Sequence, residues 1–295
     1  MAILYFLLFF SVFIDTAKNI FYNIFGKNLL KSNGDSVFFN FICCIGSIVF
    51  FAAAIIASND TFLVSRYTFI SAIIFAATTT AAQYFGLLSI SLGSMSFSVL
   101  FTYLSALIPT IFGCIYRSTM PTFIQTAGLL LMVVTFFLSI DTDKNSGMSI
   151  KWLLAVAGSF IGMGLLGVCQ TVHQDSEYAF ELNGFLFWTF VFAFFMFGIL
   201  YLPYRRKLKK SGQSNNYSKK DWSMMLVTGI IIGAINLINA YLAGKMASYI
   251  FFPIVNGGVI ILSGLASIFI FKEKLPRKKI AGLIIGIIAT CLIGI

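Results

Sequence analysis

Charge is what this sequence has least of: only 10% of its 295 residues are Asp, Glu, Lys or Arg, against about 25% in soluble domains. A surface facing water would need far more, so a soluble globular domain is excluded. Five cysteines, Cys43, Cys44, Cys114, Cys169 and Cys291, all lie in apolar stretches without C-x-x-C or His-paired spacing, which argues against both a disulfide framework and a zinc site. They read as small apolar packing residues. A single histidine and a single mid-span acid provide neither nucleophile and base, nor paired acids, nor a metal cluster, so an intramembrane enzyme is disfavoured. No Gly-x-x-x-x-Gly-Lys-Ser/Thr run occurs, so pumping driven by ATP bound to this chain has no support and no cofactor is implied. No filter-like loop or charged ring suggests a channel.

What is present is apolar. Hydrophobic residues make up 59% of the chain and aromatics 17%, with 34 Phe, and the mean hydropathy is +0.95. Lipid is the solvent that suits such a chain. A window of about 20 residues gives ten spans, at 3–25, 36–57, 67–89, 94–115, 121–140, 151–172, 184–203, 222–243, 249–271 and 277–295. The first span has no basic leader and no small-residue cleavage site after it, so it reads as a retained anchor. Trp152, Trp188 and Trp222 fall near span ends, the usual place for interfacial anchors.

The net charge of +10 sits in connectors, not on a folded basic face, which speaks against a nucleic-acid partner. Of the 20 Lys and Arg, 16 fall in the odd-numbered connectors and only Arg66, Arg117 and Lys245 in the even ones. The basic run from Arg205 to Lys220 dominates. The positive-inside rule places the odd connectors in the cytoplasm and both termini outside.

The chain also repeats itself. Spans 3 to 5 resemble spans 8 to 10: Leu88-Ser89-Ile90-Ser91-Leu92-Gly93 precedes one helix as Ala243-Gly244-Lys245-Met246-Ala247-Ser248 precedes another. The connectors that follow end at Pro121 and Pro276, each leading to a glycine-bearing span, with Gly128 and Gly282. Two units of five spans, 1–145 and 146–295, must enter the membrane from opposite sides because five is odd. The expected fold is therefore an all-α integral membrane protein of ten transmembrane helices in two inverted repeats, an arrangement typical of transporters.

The ten-span length, the two halves and the closing stretch Phe271-Lys272-Glu273-Lys274-Leu275-Pro276 through Ala281-Gly282 to Gly286 together resemble the EamA-like branch of the drug/metabolite transporter superfamily. The first half has Ser118 where Glu273 stands, a degenerate copy of that turn. The resemblance implies a secondary transporter or exporter of small organic solutes in the cell membrane, without a cofactor.

Ionisable groups at bilayer depth need a partner or a wet cavity. The clearest set is Asp15, Thr16, Lys18 and Asn19, in which Asp15, Lys18 and Asn19 share one helix face. Two readings stay open: an internal Asp15–Lys18 pair with the lysine reaching toward the interface, or a cavity-facing pair that meets a polar substrate, a coupling proton or a counter-substrate. Gln83 and Tyr84 in span 3, Thr102 and Tyr103 in span 4, Gln170, Thr171 and His173 in span 6, Asn236, Asn239 and Tyr241 in span 8 and Asn256 in span 9 are further polar positions. Asp15, Lys18, Asn19, Gln83, Tyr84, Tyr103, Gln170, Asn236, Asn239 and Asn256 form the expected substrate-binding set, with interhelical hydrogen bonding as the alternative role. His173, followed at once by Gln174-Asp175-Ser176-Glu177, reads as interfacial. Pro109 and Pro253 are expected kinks. The expected function is alternating-access transport of an amino-acid-like metabolite; the rival is export of organic cations, which a free Asp15 would favour and a neighbouring Lys18 opposes.

Overall fold

The computed structural model describes residues 2–29, 32–92, 95–138, 149–210, 217–269 and 277–295. Among them run eleven α-helices: α1 (Ala2–Leu29), α2 (Asn33–Ser58), α3 (Arg66–Leu92), α4 (Met95–Leu104), α5 (Leu107–Tyr116), α6 (Phe123–Leu138), α7 (Ile150–Gln174), α8 (Leu182–Lys210), α9 (Lys219–Lys245), α10 (Ser248–Phe269) and α11 (Arg277–Gly294). No strand occurs among the described residues. The Lys272-Glu273-Lys274-Leu275-Pro276 turn, Gly93 and the stretch 211–216 of the basic connector lie outside them.

Helices begin where side chains can hold orphan N–H groups. Ser32 and Ser218 each form a capping box, with Asp35 and Asp221, and Ser149 accepts a hydrogen bond from the Trp152 N–H. Among the described residues, seven helices are long and apolar enough to cross a membrane by length and composition, and shorter apolar stretches accompany them at Phe101–Tyr116, Phe123–Leu138 and Ile280–Gly294. Their outward residues, such as Phe6, Phe9, Phe13, Phe195, Ile199 and Ile284, are exposed in the isolated chain, as a hydrocarbon solvent allows.

Helix falls within each of the ten expected segments, but the fourth is divided. α4 stops at Leu104, Ser105 and Ala106 form a turn, and α5 begins at Leu107. Pro109 explains the break: it has no N–H to give to the Ser105 carbonyl and its ring crowds that carbonyl. The Ser105 carbonyl is instead taken by the Ile108 N–H at 3.0 Å, one residue early. Pro253, by contrast, is carried inside a continuous α10.

The halves interlock. α2 packs on α8 and α9, α3 on α7 and α8, α1 on α9 and α10, α5 on α7 and α10, and α6 on α11. The tightest crossing is α2 on α9: a Cβ on Gly46 would lie 2.2 Å from the Leu226 carbonyl oxygen, and one on Gly229 would lie 2.1 Å from that of Cys43. Ser47 donates to the Gly229 carbonyl there at 2.7 Å. Backbones that approach this closely need residues without side chains. Cys43 and Cys44 face different clusters, one against Met225 and the other among Phe51, Phe75 and Phe190. Trp152 departs from its expected role: it is buried, its indole N–H 3.3 Å from Ser98 Oγ, because α7 turns that face onto α4.

Candidate functional site

A cavity of about 470 Å³ lies among α1, α2, α3, α4, α5, α7 and α10, so both halves enclose it. α1 gives it Asp15, Lys18 and Asn19, α2 gives Asn40, and α3 gives Gln83 beside Gly86. Thr102 and Tyr103 come from α4, and Ser105 and Ala106 from the turn that Pro109 opens. Ser159, Met163 and Gly167 of α7 and Phe252 and Asn256 of α10 complete the lining.

Asp15 and Lys18 are one helical turn apart and form an ion pair, with 19% and 22% of their side chains exposed. Each therefore neutralises the other while the cavity is empty, and neither is left as a lone charge in a medium of low dielectric. Thr16 faces away, donating to the Val12 carbonyl at 2.8 Å.

The neutral groups are arranged as partly spent donors. Asn40 Nδ2 donates to the Ser36 carbonyl at 3.0 Å, and Asn256 Nδ2 donates to that of Phe252 at 2.9 Å. An amide so anchored keeps its Oδ1 acceptor and a second N–H for a ligand. Ser159 Oγ is buried and has no hydrogen-bond partner. A buried hydroxyl without a partner costs about 1–3 kcal/mol, a cost that a polar ligand can recover. The site thus combines one cation, one anion, several amide oxygens and hydroxyls, and an apolar wall.

Of the expected substrate set, Asp15, Lys18, Asn19, Gln83, Tyr103 and Asn256 line this cavity, and Tyr84, Gln170, Asn236 and Asn239 are not among its lining residues. Asn239 accepts from Ser11 Oγ at 2.5 Å and so ties α9 to α1. Asn236 bonds its own helix at Ile232, 2.9 Å away, and Gln170 is buried within α7. Tyr84 packs with the aromatic cluster around Phe185 and Phe197. Asn40, Ser105 and Ser159 are lining residues that the sequence reading missed. Asn40 carried a signal, a lone amide inside Phe38-Phe39-Asn40-Phe41. Ser159 carried none, because small hydroxyl residues are common at helix contacts in lipid.

His173 lies apart, 1% exposed at the end of α7. Its ring stacks on Phe185 with centroids 4.0 Å apart, and Nε2 is 3.3 Å from Thr68 Oγ1. No group of three or more His, Cys, Asp or Glu able to hold a metal occurs among the described residues.

The fold is shared with known structures. A crystal structure, described only as that of a protein, superposes with a TM-score of 0.79 at 10% identity, over 99% of this chain and 96% of the other. No curated protein matches the sequence. Residues 150–295 match the family model of the EamA-like transporter family. Through that match the chain belongs to the EamA-like transporter family, within the drug/metabolite transporter superfamily.

Proposed function

We propose that this protein is a secondary active transporter that moves a small zwitterionic, amino-acid-like metabolite across the cell membrane by alternating access. Ten crossings in two inverted repeats, split near residue 145, are the framework for it. α4 and α5 count together as the fourth crossing. Exchanging the halves then maps α1 on α9 onto α7 on α3, and α1 on α10 onto α7 on α4 and α5, and all of these contacts exist. Two halves that can trade conformations turn a cavity open on one side into one open on the other.

The observation that carries the substrate reading is the Asp15–Lys18 pair in the wall of the shared cavity. A zwitterion presents a carboxylate and an ammonium and can replace each side chain's partner in turn, so no charge is stranded on binding. A volume near 470 Å³ suits a small metabolite. An organic cation would pair with Asp15 only by releasing Lys18 as an uncompensated cation, which disfavours that rival. The driving species is a proton or a counter-substrate.

Counterflow in proteoliposomes tests this reading. Labelled amino acids are expected to exchange, and Lys18→Ala and Asp15→Asn are expected to abolish the exchange. Exchange of cationic dyes that improves in Lys18→Ala would instead establish the cation exporter.

A further inference from the structure

On the face that carries the even connectors, Ser65 donates to Glu181, Asn183 to Asp60 and Trp188 to the Phe62 carbonyl, and Arg117 makes a further tie between the halves to which the carrier reading gives a role. Arg117 lies just after α5. Its Nε and Nη2 donate to Asp175 Oδ2 and Oδ1 at 2.6 and 2.8 Å. The same guanidinium donates from Nη2 to the Ala243 carbonyl at 2.5 Å and from Nη1 to that of Met246 at 2.8 Å. A single residue of the first half thus holds the ends of α7 and α9, both in the second half. Only a planar fork of five donors can serve a carboxylate and two carbonyls at once.

The fork is held in place by its own turn. The Ser118 N–H donates to the Ile115 carbonyl and the Thr119 N–H to that of Cys114, closing α5 with the paired bonds of a Schellman motif, and Ser118 takes φ 51°. Asp175 is placed by the last turn of α7, its N–H donating to the Thr171 carbonyl at 3.0 Å.

Three helices connect this fastening to the cavity. Pro109, Gly167 and Phe252 line the cavity; Arg117 and Asp175 stand eight residues after the first two and Met246 six residues before the third, all toward the even connectors. At 1.5 Å per helical residue the Arg117 cluster lies roughly 9–12 Å beyond that end of the cavity. In the layer between, α5 meets the start of α10 at a glycine: a Cβ on Gly113 would come 1.9 Å from Ser248 Oγ. At the level of the cavity itself, one on Gly167 would come 2.6 Å from Pro109.

We infer that Arg117, with Asp175 and the Ala243 and Met246 carbonyls, is a latch on the even-connector face of the carrier, beside the Ser65–Glu181 and Asn183–Asp60 contacts, and must open for the cavity to reach that side. The inference rests on the carrier reading, but its test needs no transported substrate. Met163→Cys places a thiol in the cavity wall at a half-buried position. A membrane-impermeant thiosulfonate is applied to one face of oriented vesicles at a time, and labelling at position 163 is read by peptide mass spectrometry over the parent with its five native cysteines.

The latched protein is expected to label from the odd-connector face. Adding Arg117→Ala is expected to raise the ratio of even-face to odd-face labelling on the order of tenfold, the effect of losing about one charged hydrogen bond from a two-state balance. Asp175→Asn should move the ratio the same way by less, and Arg117→Lys should fall between Arg117→Ala and the parent. An unchanged ratio in Arg117→Ala protein that melts like the parent overturns the latch. If Arg117→Ala fails to fold, an unchanged ratio in Asp175→Asn overturns it. Because counterflow is measured separately, zwitterion exchange with an unmoved ratio would sink the latch and leave the carrier standing.

Discussion

The two halves of the chain contribute unequally to the cavity they share. The first half brings Asp15, Lys18, Asn19, Asn40, Gln83, Thr102, Tyr103 and Ser105, whereas the polar share of the second half is Ser159 and Asn256. The family pattern is distributed the other way, since the matched region is 150–295. Apolar lining comes from both halves, Ala82, Leu87, Ala106 and Pro109 from the first and Met163, Phe252 and Val259 from the second. Only the charges are confined to one half, the one outside the matched region, and on the proposed function they are what a ligand would meet.

The largest expected effect lies where the halves meet backbone to backbone. Gly229→Ala and Gly46→Ala each drive a methyl group toward a carbonyl oxygen, 2.1 and 2.2 Å away. A helix backbone cannot yield as a side chain can, so each change should destabilise by about 3 kcal/mol or more. Thermal melting in detergent should show similar losses for both. A large loss for one and none for the other would mean that the crossing is not carried equally by its two helices.

Next comes the asymmetry of the cavity itself. Asp15→Asn leaves Lys18 without its counter-charge and should weaken ligand binding by about 10- to 100-fold, the cost of one lost charged hydrogen bond. Ser159→Ala, in the other half, removes a neutral hydroxyl and should cost only about 2- to 10-fold on the same scale. A thermal-shift titration of the pair measures both. Equal losses would break the division between a charge-bearing half and an uncharged one.

Proline sharpens the contrast at smaller scale. Pro109 breaks its span and exposes Ser105 and Ala106 to the cavity, while Pro253 leaves α10 continuous. Pro109→Ala restores the missing N–H and lets α4 run into α5, so binding should weaken several-fold without loss of melting temperature. Pro253→Ala should leave binding nearly unchanged. A matched effect on binding from both would show that the break is not what shapes the site.

The sequence showed the all-helical class and the membrane solvent because both follow from scarce charge and from run length, properties that need no long-range information. It also pointed to Asp15 and Lys18, since a charge inside an apolar run is conspicuous in any fold. The amides of α9 were equally conspicuous, yet Asn239 bonds Ser11 of α1 and Asn236 bonds its own helix. Periodicity places residues on a face but does not say which neighbour that face meets. Arg117 illustrates the same limit: as one of the few cations in the even connectors it registered only as a topological count. Its four hydrogen bonds depend on Asp175, Ala243 and Met246, which lie 58 to 129 residues away in the chain.

The smallest effect concerns the turn at which the first half departs from the family's closing motif. Ser118, standing where the second half has Glu273, takes φ 51°, a region that costs an L-residue with a side chain about 1–2 kcal/mol and glycine almost nothing. Ser118→Gly relieves that strain and gives back part of the gain through a freer unfolded chain. The net should be stabilising by about 0.5 kcal/mol, a rise of about 1–2 °C in melting temperature for a protein of this size. The Arg117 contacts depend on the backbone path and not on the serine side chain, so the even-to-odd labelling ratio at position 163 should not move. A fall in melting temperature would show that the hydroxyl supports the turn. A shift in the labelling ratio would show that the latch depends on the stiffness of a left-handed serine, and the residue at this one position would then act through the backbone it holds.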